Sequence, residues 1–147
     1  MTSLLAAQGL LEDQSIPDEE RRKAQQERLQ KLYHNTRVLL SHYREIAWVL
    51  ECFPETVAQL LLDRINDALT VLKKKPGNGP RLYELIYLTY IAPEKLSLTD
   101  LLFRLDLSSR QYYRLREEAV SIISIRLWSV PEGELKQLAG FVEIMEG

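Results

Sequence analysis

The stretch Leu96–Trp128, LSLTDLLFRLDLSSRQYYRLREEAVSIISIRLW, decides the fold that we predict for this chain. Its apolar spacing predicts a first helix over Leu98–Leu105 and a second from Ser109 to about Leu127. Residues 106–108, Asp-Leu-Ser, form the break between them. The stretch therefore reads as a helix-turn-helix.

The second helix has a strong start signal. Ser108 is a typical N-cap residue, because its hydroxyl can accept a hydrogen bond from a free amide in the first helical turn. Gln111 follows three residues later and completes the pattern of a capping box. We therefore expect the second helix to begin at a fixed residue.

Apolar and polar side chains separate onto two faces of this unit. The positions that a helix-turn-helix buries are apolar, and they are Leu101, Leu102, Leu105, Leu107, Tyr112 and Leu115. The outer face of the second helix is polar, and it carries Ser109, Arg110, Gln111, Tyr113, Arg114 and Glu117. A recognition helix presents this kind of face to the major groove of DNA.

The outer face has the chemistry needed to bind DNA. Arginine forks onto guanine and glutamine pairs with adenine, while hydroxyls and first-turn amides bond phosphates. The candidate DNA-binding residues are Ser109, Arg110, Gln111, Tyr113 and Arg114, with Arg104 and Arg116 as flanking phosphate contacts. The alternative is that these are ordinary surface residues of a helical hairpin, and Glu117 and Glu118 count against DNA because they would repel phosphates.

The first half of the chain predicts a long-helix hairpin. Acidic residues after Pro17 start a helix that we expect to reach Cys52, and a second helix follows over 54–74. The first helix carries a heptad seam of Leu29, Leu32, Thr36, Leu39, Tyr43, Ile46, Leu50 and Phe53. The seam fits either packing within its own domain or a homodimer. A short apolar-faced helix is also expected over 1–14.

Pro76-Gly77-Asn78-Gly79-Pro80 is the clearest linker in the sequence. We place residues 1–75 in an N-terminal helical hairpin, 76–80 in the linker and 81–147 in the helix-turn-helix domain. The lysines at 73–75 suit either a helix C-terminus or a DNA backbone. In the last domain a supporting helix over Arg81–Ile91 precedes the helix-turn-helix, and a helix over Glu132–Met145 follows it, with Leu135, Leu138, Phe141, Val142 and Met145 on one face.

Composition narrows the class of protein. The chain has 147 residues and a net charge of −2, so binding to DNA would need a local basic patch. The single Cys52 forms no disulfide framework, no apolar run reaches membrane-spanning length, and the N-terminal residues lack a basic leader region. We expect a cytoplasmic protein without contact to a membrane. No pattern for a metal, a cofactor or a catalytic group stands out, so we expect no enzyme.

The stretch resembles the C-terminal motif of the ArpU/RinA-type phage transcriptional regulators, which in turn resembles the helix-turn-helix of sigma factor region four. The matching residues are Leu98-Thr99-Asp100, Leu105-Asp106-Leu107-Ser108, the run from Ser109 to Ala119, and the preceding helix Arg81–Tyr90. The resemblance implies a small late-gene regulator that acts on DNA with host RNA polymerase. Asp106 replaces the usual turn glycine and must adopt a left-handed conformation, and Leu102 replaces a small residue.

These observations predict an all-α protein: a sequence-specific DNA-binding transcriptional regulator that reads the major groove with the helix starting at Ser109. Its expected partners are double-stranded DNA, host RNA polymerase and a second copy bound through the Leu29–Phe53 seam. Two alternatives stay open. One is a DNA-packaging or other phage DNA-binding component, and the other is a polymerase- or sigma-interacting module that does not bind DNA.

Overall fold

A computed structural model describes residues 17–53 and 57–146. Within these ranges the chain is all-α, as predicted, and contains helices and no strand. The helices are α1 (Asp18–Ser41), α2 (Tyr43–Cys52), α3 (Ala58–Lys73), α4 (Gly79–Ile86), a π-helical turn (Tyr87–Ile91), α5 (Leu98–Leu105), α6 (Ser109–Leu127) and α7 (Glu132–Glu146). The helix expected over 1–14 and the start of the one expected at Pro54 lie outside the described residues. No helix in the described ranges is long and apolar enough to cross a membrane.

The long helix expected from Pro17 to Cys52 is divided at His42. The hydroxyl of Ser41 donates to the carbonyl oxygen of Val38 at 2.7 Å, and Nδ1 of His42 lies 2.8 Å from the same oxygen. Side chains that compete for a helix carbonyl bend the backbone. The backbone N–H of His42 is shared between Val38 O and Leu39 O, and α2 begins at Tyr43.

The central part of the heptad seam packs within the chain itself. Thr36 and Leu39 are completely buried and Ile46 is 4% exposed, whereas Leu29 and Phe53 at the two ends are more than half exposed. The central residues of the seam therefore belong to the protein's own core. These central residues are not available to a second copy, whereas Leu29 and Phe53 remain exposed, so the homodimer through the Leu29–Phe53 seam stays a prediction.

Helix α3 lies at the centre of the fold. Its apolar seam is buried and consists of Ala58, Leu61, Ile65, Leu69 and Leu72. The helix packs against α2, α4 and α6, so the chain before residues 76–80 and the chain after them share one core.

The boundary that we predicted at 76–80 therefore does not separate two compact units. The chain divides instead into Met1–Leu32 and Tyr33–Gly147. In the first unit, every described side chain from Pro17 to Lys31 is exposed.

Residues 74–78 form a tight turn, and Gly79 and Pro80 begin α4. Gly77 has a left-handed backbone with φ of 88°. At Gly79 a Cβ atom would lie only 2.8 Å from the carbonyl oxygen of Leu72 and 2.9 Å from that of Lys73. Only glycine permits this approach to the end of α3. The Pro/Gly composition therefore reflects close packing here and not a linker.

Two arginines close irregular backbone ends. The helix expected over Arg81–Ile91 is α-helical only to Ile86 and then widens into the π turn, in which the N–H of Ala92 bonds to Tyr87 O at 2.8 Å. Arg44 Nε donates to the carbonyl oxygen of Ala92 at 2.7 Å. Arg81 Nη2 donates to the carbonyl oxygen of Leu105 at 2.7 Å and ties α4 to the end of α5.

Helix α7 packs on the core, as its apolar face predicted. Leu138 and Val142 are buried, and Phe141 and Met145 are half-buried against the same cluster. An ion pair between Arg64 and Glu134 joins α7 to α3. The acidic helix is therefore part of the fold.

A buried polar network joins α1 to α6. Thr36 Oγ1 lies 2.7 Å from Ser124 Oγ and accepts a hydrogen bond from Trp128 Nε1 at 2.9 Å. Thr36 is completely buried and Ser124 is 7% exposed, so hydrogen bonds within the chain replace water as partners of their hydroxyls.

Replacing Thr36 with valine tests this network. We expect T36V to lower the free energy of unfolding by about 1–3 kcal/mol, because Ser124 Oγ and Trp128 Nε1 lose a buried partner. Adding S124A to T36V removes one of the stranded groups, so the double variant is expected to be less destabilised than the sum of the single changes. Urea unfolding of the four proteins measures the coupling, and additive effects would contradict it.

Asp106 provides a test of backbone conformation. Its φ of 54° and ψ of 52° are left-handed, so D106V is expected to cost about 1–2 kcal/mol of stability. D106G removes the Cβ and is expected to be at least as stable as the wild type. Because Asp106 is exposed, neither change disturbs the core. Equal melting temperatures for the two variants would contradict the assignment.

Candidate nucleic-acid interface

The turn of the helix-turn-helix is a Schellman motif with aspartate at the left-handed position. The N–H of Leu107 bonds to Leu102 O at 3.0 Å and the N–H of Asp106 bonds to Phe103 O at 3.3 Å. These two bonds satisfy carbonyls at the end of α5. The predicted conformation of Asp106 is confirmed.

The predicted capping box starts α6. The N–H of Gln111 donates to Ser108 Oγ at 3.2 Å, and the N–H of Ser108 donates to Gln111 Oε1 at 3.0 Å. The bounds of α5 and α6 are those expected from the sequence. Ser97 is a second N-cap that the sequence interpretation missed, and its Oγ accepts from the N–H of Asp100 at 3.2 Å.

The apolar positions of the unit support α6 from below. Leu101, Leu105 and Tyr112 are buried, and the other three predicted positions, Leu102, Leu107 and Leu115, are half-buried against the core. The phenol of Tyr112 lies 2.9 Å from Thr89 Oγ1 in the π turn, and burial raises its pKa. Tyr112 therefore anchors the N-terminal part of α6.

The predicted outer face of α6 is open to solvent. Its six residues, Ser109, Arg110, Gln111, Tyr113, Arg114 and Glu117, are all exposed. Arg110, Gln111 and Arg114 line a shallow cavity of about 410 Å³ together with Ser108. Neither Arg110 nor Arg114 makes an ion pair with a described residue.

The other two candidate arginines have partners within the chain. Arg104 Nη2 lies 3.8 Å from Glu94 Oε2. The guanidinium of Arg116 lies 4.9 Å from the ring centre of Tyr113 and 5.9 Å from that of Tyr112. Arg116 therefore makes cation–π contacts with both tyrosines beside the outer face.

The two glutamates that counted against DNA binding have different surroundings. Glu118 accepts from Asn78 Nδ2 at 3.3 Å and lies 3.6 Å from Lys75 Nζ, so its charge is balanced within the chain. Glu117 is exposed on the outer face. One carboxylate therefore stays at the candidate interface.

Arg81 supports the site through a hydrogen bond that the sequence did not predict. Its hydrogen bond to Leu105 O holds the end of α5 against α4. The donor and the acceptor lie 24 residues apart, so no local pattern signals the bond. The sequence did not predict the contacts of Lys75 and Asn78 with Glu118 for the same reason, because Glu118 is 40 residues from Asn78.

The structure shows no competing metal centre in the ranges that it describes, where no three His, Cys, Asp or Glu side chains group to hold an ion. No protein-family model, characterised protein or solved structure matches the chain. The candidate interface is therefore defined by its own geometry.

The capping role of Gln111 makes a testable distinction. We expect Q111A to destabilise the protein by about 0.5–1 kcal/mol, because the N–H of Ser108 loses its acceptor. Q111E is expected to keep full stability, since glutamate also completes a capping box and suits the positive end of the helix. Thermal unfolding compares the two, and equal loss in both would exclude the capping role.

Proposed function

We propose that this protein binds double-stranded DNA in a sequence-specific manner and reads the major groove with the N-terminal part of α6. The observation that carries the proposal is the exposed face on which Arg110 and Arg114 lie one helical turn apart without partners in the described chain. Buried Tyr112 and the capping box hold this face rigidly, as base readout requires.

The roles of the outer residues follow from their contacts. Arg110 and Arg114 have free guanidinium groups that suit guanine, while Ser109 and the first-turn amides suit phosphate. Gln111 Oε1 is occupied by the N–H of Ser108, so a two-bond contact with adenine would compete with the helix cap. Glu117 suits the amino group of cytosine, and its charge disfavours loose binding to phosphates.

The resemblance to ArpU/RinA-type regulators supports a role in transcription, with phage or prophage late genes as the setting and host RNA polymerase as a partner. Phe103 adds a specific observation for a protein contact. It is 86% exposed on α5, an amount of apolar surface that phosphate binding does not use. A polymerase- or sigma-interacting module is therefore the second candidate function, and it requires no contact between α6 and DNA.

Arginine replacement tests the DNA-binding face. We expect R110A and R114A each to weaken binding to a duplex selected from a random library by about 10- to 100-fold, because each loses a two-bond contact with a base. Fluorescence anisotropy with the labelled duplex measures the affinity. K136A removes an exposed charge from α7 and is expected to bind like the wild type.

Thermal unfolding of each variant provides the check on folding, because both arginines are exposed and their loss leaves the core intact. Wild-type affinity in both arginine variants would exclude this face as the DNA contact. If the wild type selects no duplex but RNA polymerase retains it through Phe103, the second candidate function replaces the first.

A further inference from the structure

The turn between α3 and α4 is attached to the DNA-facing helix. Asn78 Nδ2 donates to the carboxylate of Glu118 at 3.3 and 3.4 Å, and Lys75 Nζ lies 3.6 Å from Glu118 Oε1. Lys75 also donates to Asn78 Oδ1 at 2.7 Å. The three side chains form a closed set that holds the turn against α6.

This set lies next to the proposed base-reading residues. Glu118 follows Arg114 by four residues, so it is on a neighbouring part of the helix surface about 6 Å further along the axis. The turn itself is fixed at its other end by Gly79, which contacts the last carbonyls of α3. The backbone of the turn therefore has a defined place beside the outer face.

The three consecutive lysines at and just after the end of α3 have different surroundings. Lys73 Nζ lies 5.0 Å above the ring of Tyr83, and Lys75 is paired with Glu118. Lys74 is exposed, and its ammonium group has no ion pair or hydrogen bond with a described residue. Cations are favoured at the C-terminus of any helix, and this explains a lysine run at the end of α3. It does not explain why Lys75 and Asn78 contact Glu118 of α6.

We propose that Lys74 binds a phosphate of the DNA strand that borders the groove read by α6, and that Glu118, Lys75 and Asn78 are positioning residues for this contact. The inference rests on the proposed function. The major groove is about 12 Å wide, so phosphates run along both sides of a helix inserted in it. Lys74 precedes Lys75, which pairs with Glu118 one helical turn beyond Arg114, so the exposed Lys74 belongs to the segment that borders the outer face and the strand running beside it.

A phosphate contact has a signature that differs from base readout. Loss of one phosphate contact weakens binding to all duplexes alike and makes the affinity less sensitive to salt. We expect K74A to weaken binding by about 3- to 10-fold on both the selected duplex and an unrelated duplex of the same length. The slope of log affinity against log salt is expected to become shallower by about 1.

The experiment measures anisotropy titrations of both duplexes over a range of salt concentrations. K136A is the matched control, since it removes one exposed lysine from α7 and is expected to keep the wild-type slope. N78A tests the positioning set. It keeps Lys74 and every other charge, and it is expected to lower affinity on the two duplexes alike by loosening the turn.

The outcomes separate this inference from the proposed function. A wild-type slope and affinity in K74A, with weakened binding in R114A, would overturn the inference and leave the proposed function intact. A loss in K74A that appears only on the selected duplex would also overturn it, because that result indicates base readout. A wild-type protein that binds neither duplex would overturn both.

Discussion

Helix α3 packs along α6, and both helices contribute buried side chains to one core. Burial in α6 is concentrated from Ala119 onwards, whereas Tyr112 is the only buried residue in its first two turns. The C-terminal part of α6 therefore packs in the core, and most of the N-terminal part is exposed to solvent. This division creates the candidate interface, because the buried part of the helix fixes the backbone from which the exposed side chains extend.

Charges around α6 are distributed in a way that favours the same face. Four cations beside the face are engaged within the chain: Arg81 with a carbonyl, Arg104 with Glu94, Lys75 with Glu118, and Arg116 with two tyrosine rings. Arg110 and Arg114 have no such partners among the described residues. The net charge of the chain is −2, so this local arrangement, and not a global field, would attract DNA.

Long-range polar bonds complete the irregular parts of the fold. Arg44 and Arg81 bond carbonyls at the ends of the π turn and α5, and Thr36 joins α1 to Ser124 and Trp128 of the C-terminal part. Buried polar groups without such partners would cost stability. The bonds of Arg44 and Thr36 add to the shared core that joins the chain before residues 76–80 to the chain after them, which the Pro/Gly stretch had suggested were separate.

The sequence by itself determined the all-α class, the bounds of α5 and α6, the capping box at Ser108 and the left-handed conformation of Asp106. Each depends on neighbours within a few residues, so local chemistry is enough. Tertiary structure alone decided where the seam of α1 and α2 is buried, that residues 76–80 pack tightly, and which arginines are free. Several of these outcomes depend on distant partners, such as Ser124 for Thr36, which lies 88 residues away along the chain, and Leu105 for Arg81, which lies 24 residues away. No local pattern records such contacts.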